Sequence, residues 1–236
     1  MAKPFRFKQF TIQQDSDVFK VGTDGCLLGC LVELTNAPKI LEVGTGTGVI
    51  SLMLAQRFEN VLIKAIDINL SAIALTSINF NKSPWASRLS AIPLSFLDLK
   101  ETEDNSFDLI ISNPPFFKNS IKNTNDAMSL ARHESDLSLE TFFKQSKKLL
   151  KTNGKIALIL PFQRRSEFET LLNRYDLFEI RCISIKPKAE KNTNRFISEF
   201  GKFKSECTRE TIVIYEANCE LTSQAKDIFS PFYLRL

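Results

Sequence analysis

Lys39-Ile-Leu-Glu-Val-Gly-Thr-Gly-Thr-Gly-Val49 reads as a buried strand, a glycine turn and the start of a helix. Ile40, Leu41 and Val43 suit a central parallel strand covered on both faces. Gly44, Gly46 and Gly48 then break the pattern at alternate positions. Glycine takes positive φ and lets a ligand touch bare backbone. Val49-Ile-Ser-Leu-Met-Leu-Ala-Gln-Arg57 follows with helical apolar spacing. Strand, glycine turn and helix N-terminus together make a nucleotide-binding corner. Many tight turns carry glycines, so this stretch alone leaves a purely structural turn open.

Working outward, Val61-Leu-Ile-Lys-Ala-Ile-Asp-Ile68 reads as the next strand. It ends in Asp67, with Ile68 beside it. An acidic side chain about 20 residues past the glycines can hold both ribose hydroxyls of an adenosine. Phe107-Asp-Leu-Ile-Ile-Ser112 reads as a fourth strand and runs into Asn113-Pro-Pro-Phe116. With these residues the chain resembles the S-adenosylmethionine-dependent methyltransferases. Asn-Pro-Pro-Phe is similar to the signature of their amino-methylating branch, which acts on adenine N6, guanine N2 or glutamine amide nitrogens.

The chemistry of each motif fits that resemblance. An exocyclic amine is a poor nucleophile because its lone pair is delocalised into the ring. The Asn113 side-chain oxygen and the Pro114 carbonyl can each accept one N–H, which localises the lone pair on nitrogen. Two prolines fix φ and bring no competing donor, and Phe116 can stack on a planar target. Asn113, Pro114 and Phe116 are the catalytic candidates, Asn113 also lying against the cofactor. Glu42 can face the cofactor's ammonium group, or serve only as a turn partner. Asp98, after the third strand, can accept from the cofactor's adenine amino group, or be a solvated loop residue. Gly44, Gly46, Gly48, Asp67 and Ile68 complete this set.

The length of 236 residues suits one α/β domain, which the resemblance makes a single methyltransferase domain over 1–236. Residues 1–36 form an amino-terminal β arm and helix, and 37–236 the catalytic core. The chain is 43% hydrophobic and 25% charged, an ordinary soluble balance. Twenty phenylalanines against one tryptophan and three tyrosines suggest a Phe-packed interior. A net charge of +4 permits a nucleic-acid partner without requiring one. The five cysteines, at 26, 30, 182, 207 and 219, form no close-spaced framework. They read as free thiols in a reducing cytoplasm. With His133 the only histidine, no metal is expected. No apolar run approaches the ~20 residues that span a bilayer. A cytoplasmic monomer without a membrane partner is expected.

Residues 5–21 alternate apolar and polar and predict a hairpin or extended arm with Gln14-Asp15-Ser16-Asp17 as its turn. A helix from about Cys26 to Leu34 follows, with Thr23 or Asp24 as its N-cap; alternatively, that helix start lies beside the cofactor. Strands are predicted near 39–43, 61–67, 89–94, 107–112, 154–160, 178–186 and 209–217. Helices are predicted near 47–58, 70–82, 139–151, 164–174 and 221–229. This alternation implies a mainly parallel sheet. The last two strands are expected to form an antiparallel pair joined by a long segment, 187–207. That segment and 117–138 are too long for plain connectors and read as RNA-facing lids. Lys186, Lys188, Lys191, Arg195 and Lys202 are the candidate phosphate contacts. The interleaved Phe196, Phe200 and Phe203 either stack on RNA or anchor the segment to the core. His133 lies in the first long loop and is either a substrate contact or an ordinary polar residue.

Four further blocks narrow the resemblance. They are Phe5-Arg-Phe-Lys-Gln-Phe10, Lys20-Val-Gly-Thr-Asp-Gly-Cys-Leu-Leu-Gly29, Ser83-Pro-Trp85 and Phe229-Ser-Pro-Phe-Tyr-Leu234. With Ile111-Ser-Asn-Pro-Pro-Phe116 they resemble the bacterial tRNA adenine-N6 methyltransferases. That family methylates the adenine 3′ of the anticodon, position 37, of a valine tRNA. The resemblance implies a Rossmann-like seven-stranded sheet with an antiparallel last strand, S-adenosylmethionine as cofactor, tRNA as partner, and Thr23 and Asp24 near the cofactor. Three rivals stay open. A guanine-N2 RNA enzyme shares the motif. A protein glutamine-N5 enzyme would usually carry a separate amino-terminal helical domain, for which the residues before Lys39 are too few. A non-catalytic RNA-binding protein would have no use for an intact Asn113-Pro-Pro-Phe116.

Overall fold

The computed structural model describes residues 2–34, 39–100, 103–114 and 137–236. Two small strands, β1 (Ala2–Arg6) and β2 (Thr11–Gln14), pair antiparallel. Then come α1 (Thr23–Leu31), β3 (Lys39–Val43), α2 (Val49–Arg57), β4 (Leu62–Asp67), α3 (Leu70–Asn81), β5 (Leu89–Pro93) and β6 (Phe107–Ser112). The second half contains α4 (Leu139–Leu149), β7 (Leu150–Pro161), α5 (Arg165–Arg174), β8 (Phe178–Lys188), β9 (Arg195–Gly201), β10 (Thr208–Tyr215) and α6 (Ser223–Phe229).

The main sheet has eight strands in the order β10-β8-β9-β7-β6-β3-β4-β5. Residues alternate between its two faces, as a pleated strand requires. Ile40, Leu109, Ile111, Ile159 and Ile197 join one core with α1, α2 and α6. Leu41, Val43, Ile110, Leu158, Phe196 and Phe200 join the other with α4 and α5. The second core is built mainly of leucine and phenylalanine, with Phe142, Phe143 and Phe168 supplied by the helices. On α4, Leu139, Phe142, Phe143, Ser146 and Leu149 are the buried positions. Their spacing is that of one helix face, and Ser138 caps the helix by accepting from Thr141 N–H at 3.0 Å.

The α/β class expected from the sequence is present, with helices on both faces. The strand count and the antiparallel partner differ. β9 lies inside the segment expected to be a basic lid, and it runs antiparallel between β7 and β8. β8 and β10, the expected antiparallel pair, are parallel. The lid reading misjudged the charges. Glu199 on β9 is buried at 1% exposure. It accepts from Arg181 at 3.0 Å, from Glu33 N–H at 3.2 Å and from Lys155 at 3.4 Å. Three donors compensate a carboxylate that would otherwise be too costly to bury. The basic residues around it therefore belong partly to the interior. Phe196 and Phe200 are core residues of a strand, not of a loop.

Two amino-terminal expectations also shift. The hairpin turn is at 7–10, with Phe7 N–H donating to Phe10 O at 2.9 Å, and not at Gln14–Asp17. The reason is packing: Phe7 and Phe10 stack at 4.6 Å, and Phe10 meets Trp85 at 5.8 Å. Phe5 and Phe7 contact Tyr233, which meets Phe229 at 4.9 Å. The helix expected from Cys26 begins at Thr23, and its N-cap is Gly22 without a side-chain cap bond. Among the described residues no helix is long and apolar enough to cross a membrane, and no group of His, Cys, Asp or Glu is arranged to hold a metal ion.

Gly48 caps α2 in the left-handed region, φ 79°. A Cβ there would lie 2.7 Å from Phe80 Cε1 and 3.0 Å from Thr76 Cγ2. Gly48→Ala is therefore expected to combine backbone strain with overpacking, a loss of about 2–4 kcal/mol. Gly44→Ala, with nothing within 4 Å of its Cβ, should lose only about 1 kcal/mol. Urea unfolding of the two variants checks the difference, and equal midpoints would refute it.

Candidate active site

A cleft of about 910 Å³ opens at the carboxyl edge of the sheet. β3 has β4 on one side and β6 on the other, so the strand order reverses there. Crossovers leaving in opposite directions from such a point leave a crevice between them. The glycine turn follows β3, and Asn113 follows β6. Ser112, buried at the end of β6, donates its hydroxyl to Val43 O at 2.7 Å and locks the two strand ends together.

The turn is held from several sides. Gly44 and Thr45 N–H both donate to Ile66 O, at 2.9 and 3.1 Å. Gly46 N–H donates to Asp67 Oδ2 at 3.0 Å. Thr76 Oγ1 donates to Gly46 O at 2.9 Å, and Asn79 Nδ2 to Thr47 O at 2.9 Å. Asn79 also accepts from Gln13 N–H at 2.8 Å, which ties β2 to the same turn. Sequence reasoning missed Ser112, Thr76 and Asn79. The available signal was a pair of polar residues three apart on the buried face of an otherwise apolar helix.

Gly44 and Gly46 have φ of 72° and 56° and line the cleft. A Cβ on either would meet nothing within 4 Å. Bare backbone thus faces open space, a cradle that suits the expected cofactor. Gly48 does not line the cleft; its missing side chain serves the packing against Phe80. Asp67 lines the cleft, with Oδ1 accepting from Asn69 N–H at 2.9 Å. Burial raises its pKa, against the pull of the amides from Asn69 and Gly46. Each carboxylate oxygen keeps a lone pair for a ribose hydroxyl. Ile68 lines the same wall.

Glu42 lies beneath the turn, buried at 1% exposure and outside the cleft lining. Its Oε2 accepts from Thr45 Oγ1 at 3.1 Å, from Ser51 N–H at 3.2 Å and from Ser51 Oγ. Oε1 is buried without a partner. Burial pushes the carboxyl up to about 7, opposed by the Ser51 and Thr45 bonds. The turn-partner role is thus filled, and one acceptor oxygen is left without a partner among the described residues.

Asn113 and Pro114 line the cleft. Thr23, Asp24 and Gly25 approach from α1, and a Cβ on Gly25 would come 3.8 Å from Asn113 Nδ2. The helix start therefore lines the cleft. Asp24 accepts from Arg195 Nε at 3.0 Å, and Arg195 also lines the cleft. Lys186, Lys188 and Lys191 lie on or after the end of β8, at the same edge of the sheet. Lys188 donates to Ala217 O at 2.9 Å. Lys202 sits at the opposite edge, donating to Leu150 O at 2.6 Å and Asn105 Oδ1 at 3.1 Å; it cannot share a surface with the cleft. Asp98 is exposed and does not line the cleft. Phe116, His133 and most of the 117–138 loop lie outside the described residues.

The sequence model of the methyltransferase small domain matches residues 14–180. A tRNA1(Val) (adenine(37)-N6)-methyltransferase of Flavobacterium psychrophilum is 34% identical over 233 residues, covering 98% of this chain and 100% of the relative. Relatives of the same name from Parabacteroides distasonis and Trichodesmium erythraeum are 38% and 37% identical, each covering at least 98% of both chains. Among solved structures, a predicted O-methyltransferase from Agrobacterium tumefaciens superposes with a TM-score of 0.68 at 16% identity. It covers 89% of this chain and 96% of its own. TYW2 of P. horikoshii in complex with MeSAdo gives 0.59 at 14%, over 85% of this chain and 71% of its own. These structures share the fold.

Gly46→Val is expected to fold and to lose S-adenosylmethionine binding, because the side chain fills the cradle. Titration calorimetry on the folded variant tests this, and unchanged affinity would exclude the turn as the cofactor seat. Glu42 gives a pH test. Its folded pKa, about 7, stands above the ordinary 4.5, so the folded state binds the extra proton between those values. Stability from this group is complete at low pH and falls as pH rises through 7. Glu42→Gln removes that loss. Its melting temperature relative to wild type should climb between pH 5 and pH 8, by an amount on the order of 2–3 kcal/mol in stability. A pH-independent difference would contradict the assignment.

Proposed function

This chain belongs to the family of tRNA1(Val) (adenine(37)-N6)-methyltransferases, and on that premise we propose that it methylates N6 of adenine 37 in a valine tRNA, using S-adenosylmethionine. The observation that carries this reading is a convergence. The open glycine cradle after β3 and Asn113-Pro114 after β6 share one cleft at adjacent strand ends.

Gly44, Gly46 and Asp67 would hold the cofactor, with Thr23, Asp24 and Ile68 around it, and the unpartnered Oε1 of Glu42 is suited to a cationic donor. When bound, S-adenosylmethionine supplies a methyl group on an electrophilic sulfonium. The chain's own residues prepare the nucleophile. The Asn113 carboxamide oxygen accepts one N–H of the target amine, and the Pro114 carbonyl accepts the other. Holding both protons in the plane of these acceptors leaves the nitrogen lone pair free on the side the glycine cradle keeps open. Phe116 is proposed to stack on the target base. Positioning in a near-attack geometry supplies the rate, without metal or covalent chemistry. Lys186, Lys188, Lys191 and Arg195 are proposed phosphate contacts at the same edge of the sheet; Lys202, at the opposite edge, is not one of them.

The test uses labelled cofactor, unmodified total tRNA, wild-type protein and Asn113→Ala. Nucleoside digestion and mass spectrometry should find N6-methyladenosine at the base 3′ of the valine anticodon. Asn113→Ala should keep cofactor affinity and lose most single-turnover rate, on the order of 10²-fold or more. Label in N2-methylguanosine, or in protein from a parallel lysate, would reassign the substrate. A near-normal rate for Asn113→Ala would remove Asn113 from the chemistry.

A further inference from the structure

The chain has twenty phenylalanines, three tyrosines and one tryptophan. Among the described residues, three of these aromatics are left more than a third exposed: Phe19 at 78%, Phe162 at 42% and Tyr215 at 38%. Phe19 lines the cleft, and Phe162 directly follows a residue that lines it, Pro161. The other described phenylalanines are buried or half-buried, and a ring left exposed beside a cleft offers its face to a planar ligand.

Phe19 lines the cleft. Its loop is anchored, because the preceding Val18 is buried against Ala72 and Leu75 of α3. Val21 N–H also donates to Gln14 Oε1 at 3.0 Å. Fixed on both sides, the loop holds the Phe19 ring outward with the exposed Lys20 next to it. Phe162 follows Pro161, a cleft residue at the end of β7. Its N–H donates to Asn194 O at 3.0 Å, and its ring rests edge-on against buried Phe196 at 6.4 Å and 89°. Arg195 stands beside this contact and lines the cleft. In the sheet, β6 with Asn113 lies between β7, which leads to Phe162, and β4, which leads to the helix that anchors Phe19.

We propose that Phe19 and Phe162 are stacking platforms for the two bases that flank the target adenine, one on each side. This rests on the RNA reading above and extends it to how the RNA is gripped. Extruding one base from a single-stranded loop removes its stacking with both neighbours. An aromatic ring on each side replaces the lost partner whatever the neighbouring base, since every base has a π-face. Lys20 and Arg195 beside the rings supply charge for the adjoining phosphates.

The experiment uses the full-length protein and an anticodon stem-loop RNA carrying the target adenine, intact or with an abasic residue immediately 5′ or 3′ of it. RNA affinity is read by fluorescence anisotropy and cofactor affinity by calorimetry, for wild type and for Phe19→Ala, Phe19→Leu, Phe19→Tyr, Phe162→Ala, Phe162→Leu and Phe162→Tyr. The alanine and leucine variants should bind intact RNA about ten-fold to a hundred-fold more weakly, and tyrosine should restore binding. Cofactor affinity should not change. One abasic neighbour should weaken the wild type by a similar factor and cost the matching alanine variant nothing more. Additive losses, or leucine binding as well as phenylalanine, would overturn the platforms. So would a Phe19→Ala variant that loses cofactor and keeps RNA, because the ring would then cover the cofactor. A wild type that binds and methylates the intact RNA keeps the parent reading standing in each of those cases. Failure to bind or methylate it would overturn both.

Discussion

The turn from Gly44 to Gly48 keeps its shape because two carboxylates from neighbouring strand ends hold its amides and hydroxyls. Asp67, ending β4, accepts from Gly46 N–H. Glu42, from β3 itself, accepts from Thr45 and Ser51 below. Three residues with positive φ lose much conformational entropy when ordered, so such a turn needs holding. The same bonds set the chemistry. An acceptor that occupies the turn's N–H groups from behind leaves the open faces of Gly44 and Gly46 toward the cleft. The entropic cost is local, and its compensation comes from outside the turn.

The cost of this arrangement appears in Glu42. A buried carboxylate with one unpartnered oxygen is electrostatically poor design for a folded protein on its own, and its raised pKa expresses that. Such groups concentrate at functional sites. A second buried carboxylate, Glu199, contrasts with it. Arg181, Lys155 and a backbone amide satisfy it fully, and it helps to seat the antiparallel strand β9 among parallel neighbours. One buried acid is finished by the protein; the other is left open beneath a ligand cradle.

The amino-terminal arm is part of the same machinery. Its hairpin folds because Phe5, Phe7 and Phe10 close on Trp85, Phe229 and Tyr233, from two distant parts of the chain. That cluster fixes β2. Gln13 of β2 holds Asn79, and Asn79 holds the glycine turn. A path of packed rings and hydrogen bonds thus runs from the amino- and carboxyl-terminal blocks to the glycine turn at the cleft. It gives a physical reason for the amino-terminal block, Ser83-Pro-Trp85 and the Phe229–Leu234 block to occur together in one sequence.

What the sequence determined by itself was local. Buried runs beside a glycine turn dictate strand, turn and helix, because φ preferences and burial act over neighbouring residues. The strands at 39–43, 61–67, 89–94 and 107–112 therefore stand where periodicity put them, and Asp67 and Asn113 fall at the strand ends that bound the cleft. Charge in 187–207 misled, because a lysine or arginine looks the same whether it meets water or a buried carboxylate 18 residues away, as Arg181 meets Glu199. Gly48 looked like its two neighbours, yet only the position of Phe80 shows that it serves packing. Lys202 and Arg195 are seven residues apart on one strand and its exit, and seven residues of extended chain carry them to opposite edges of the sheet. Which groups share a surface is decided by strand order and direction, and those arise from contacts between segments that the sequence does not place side by side.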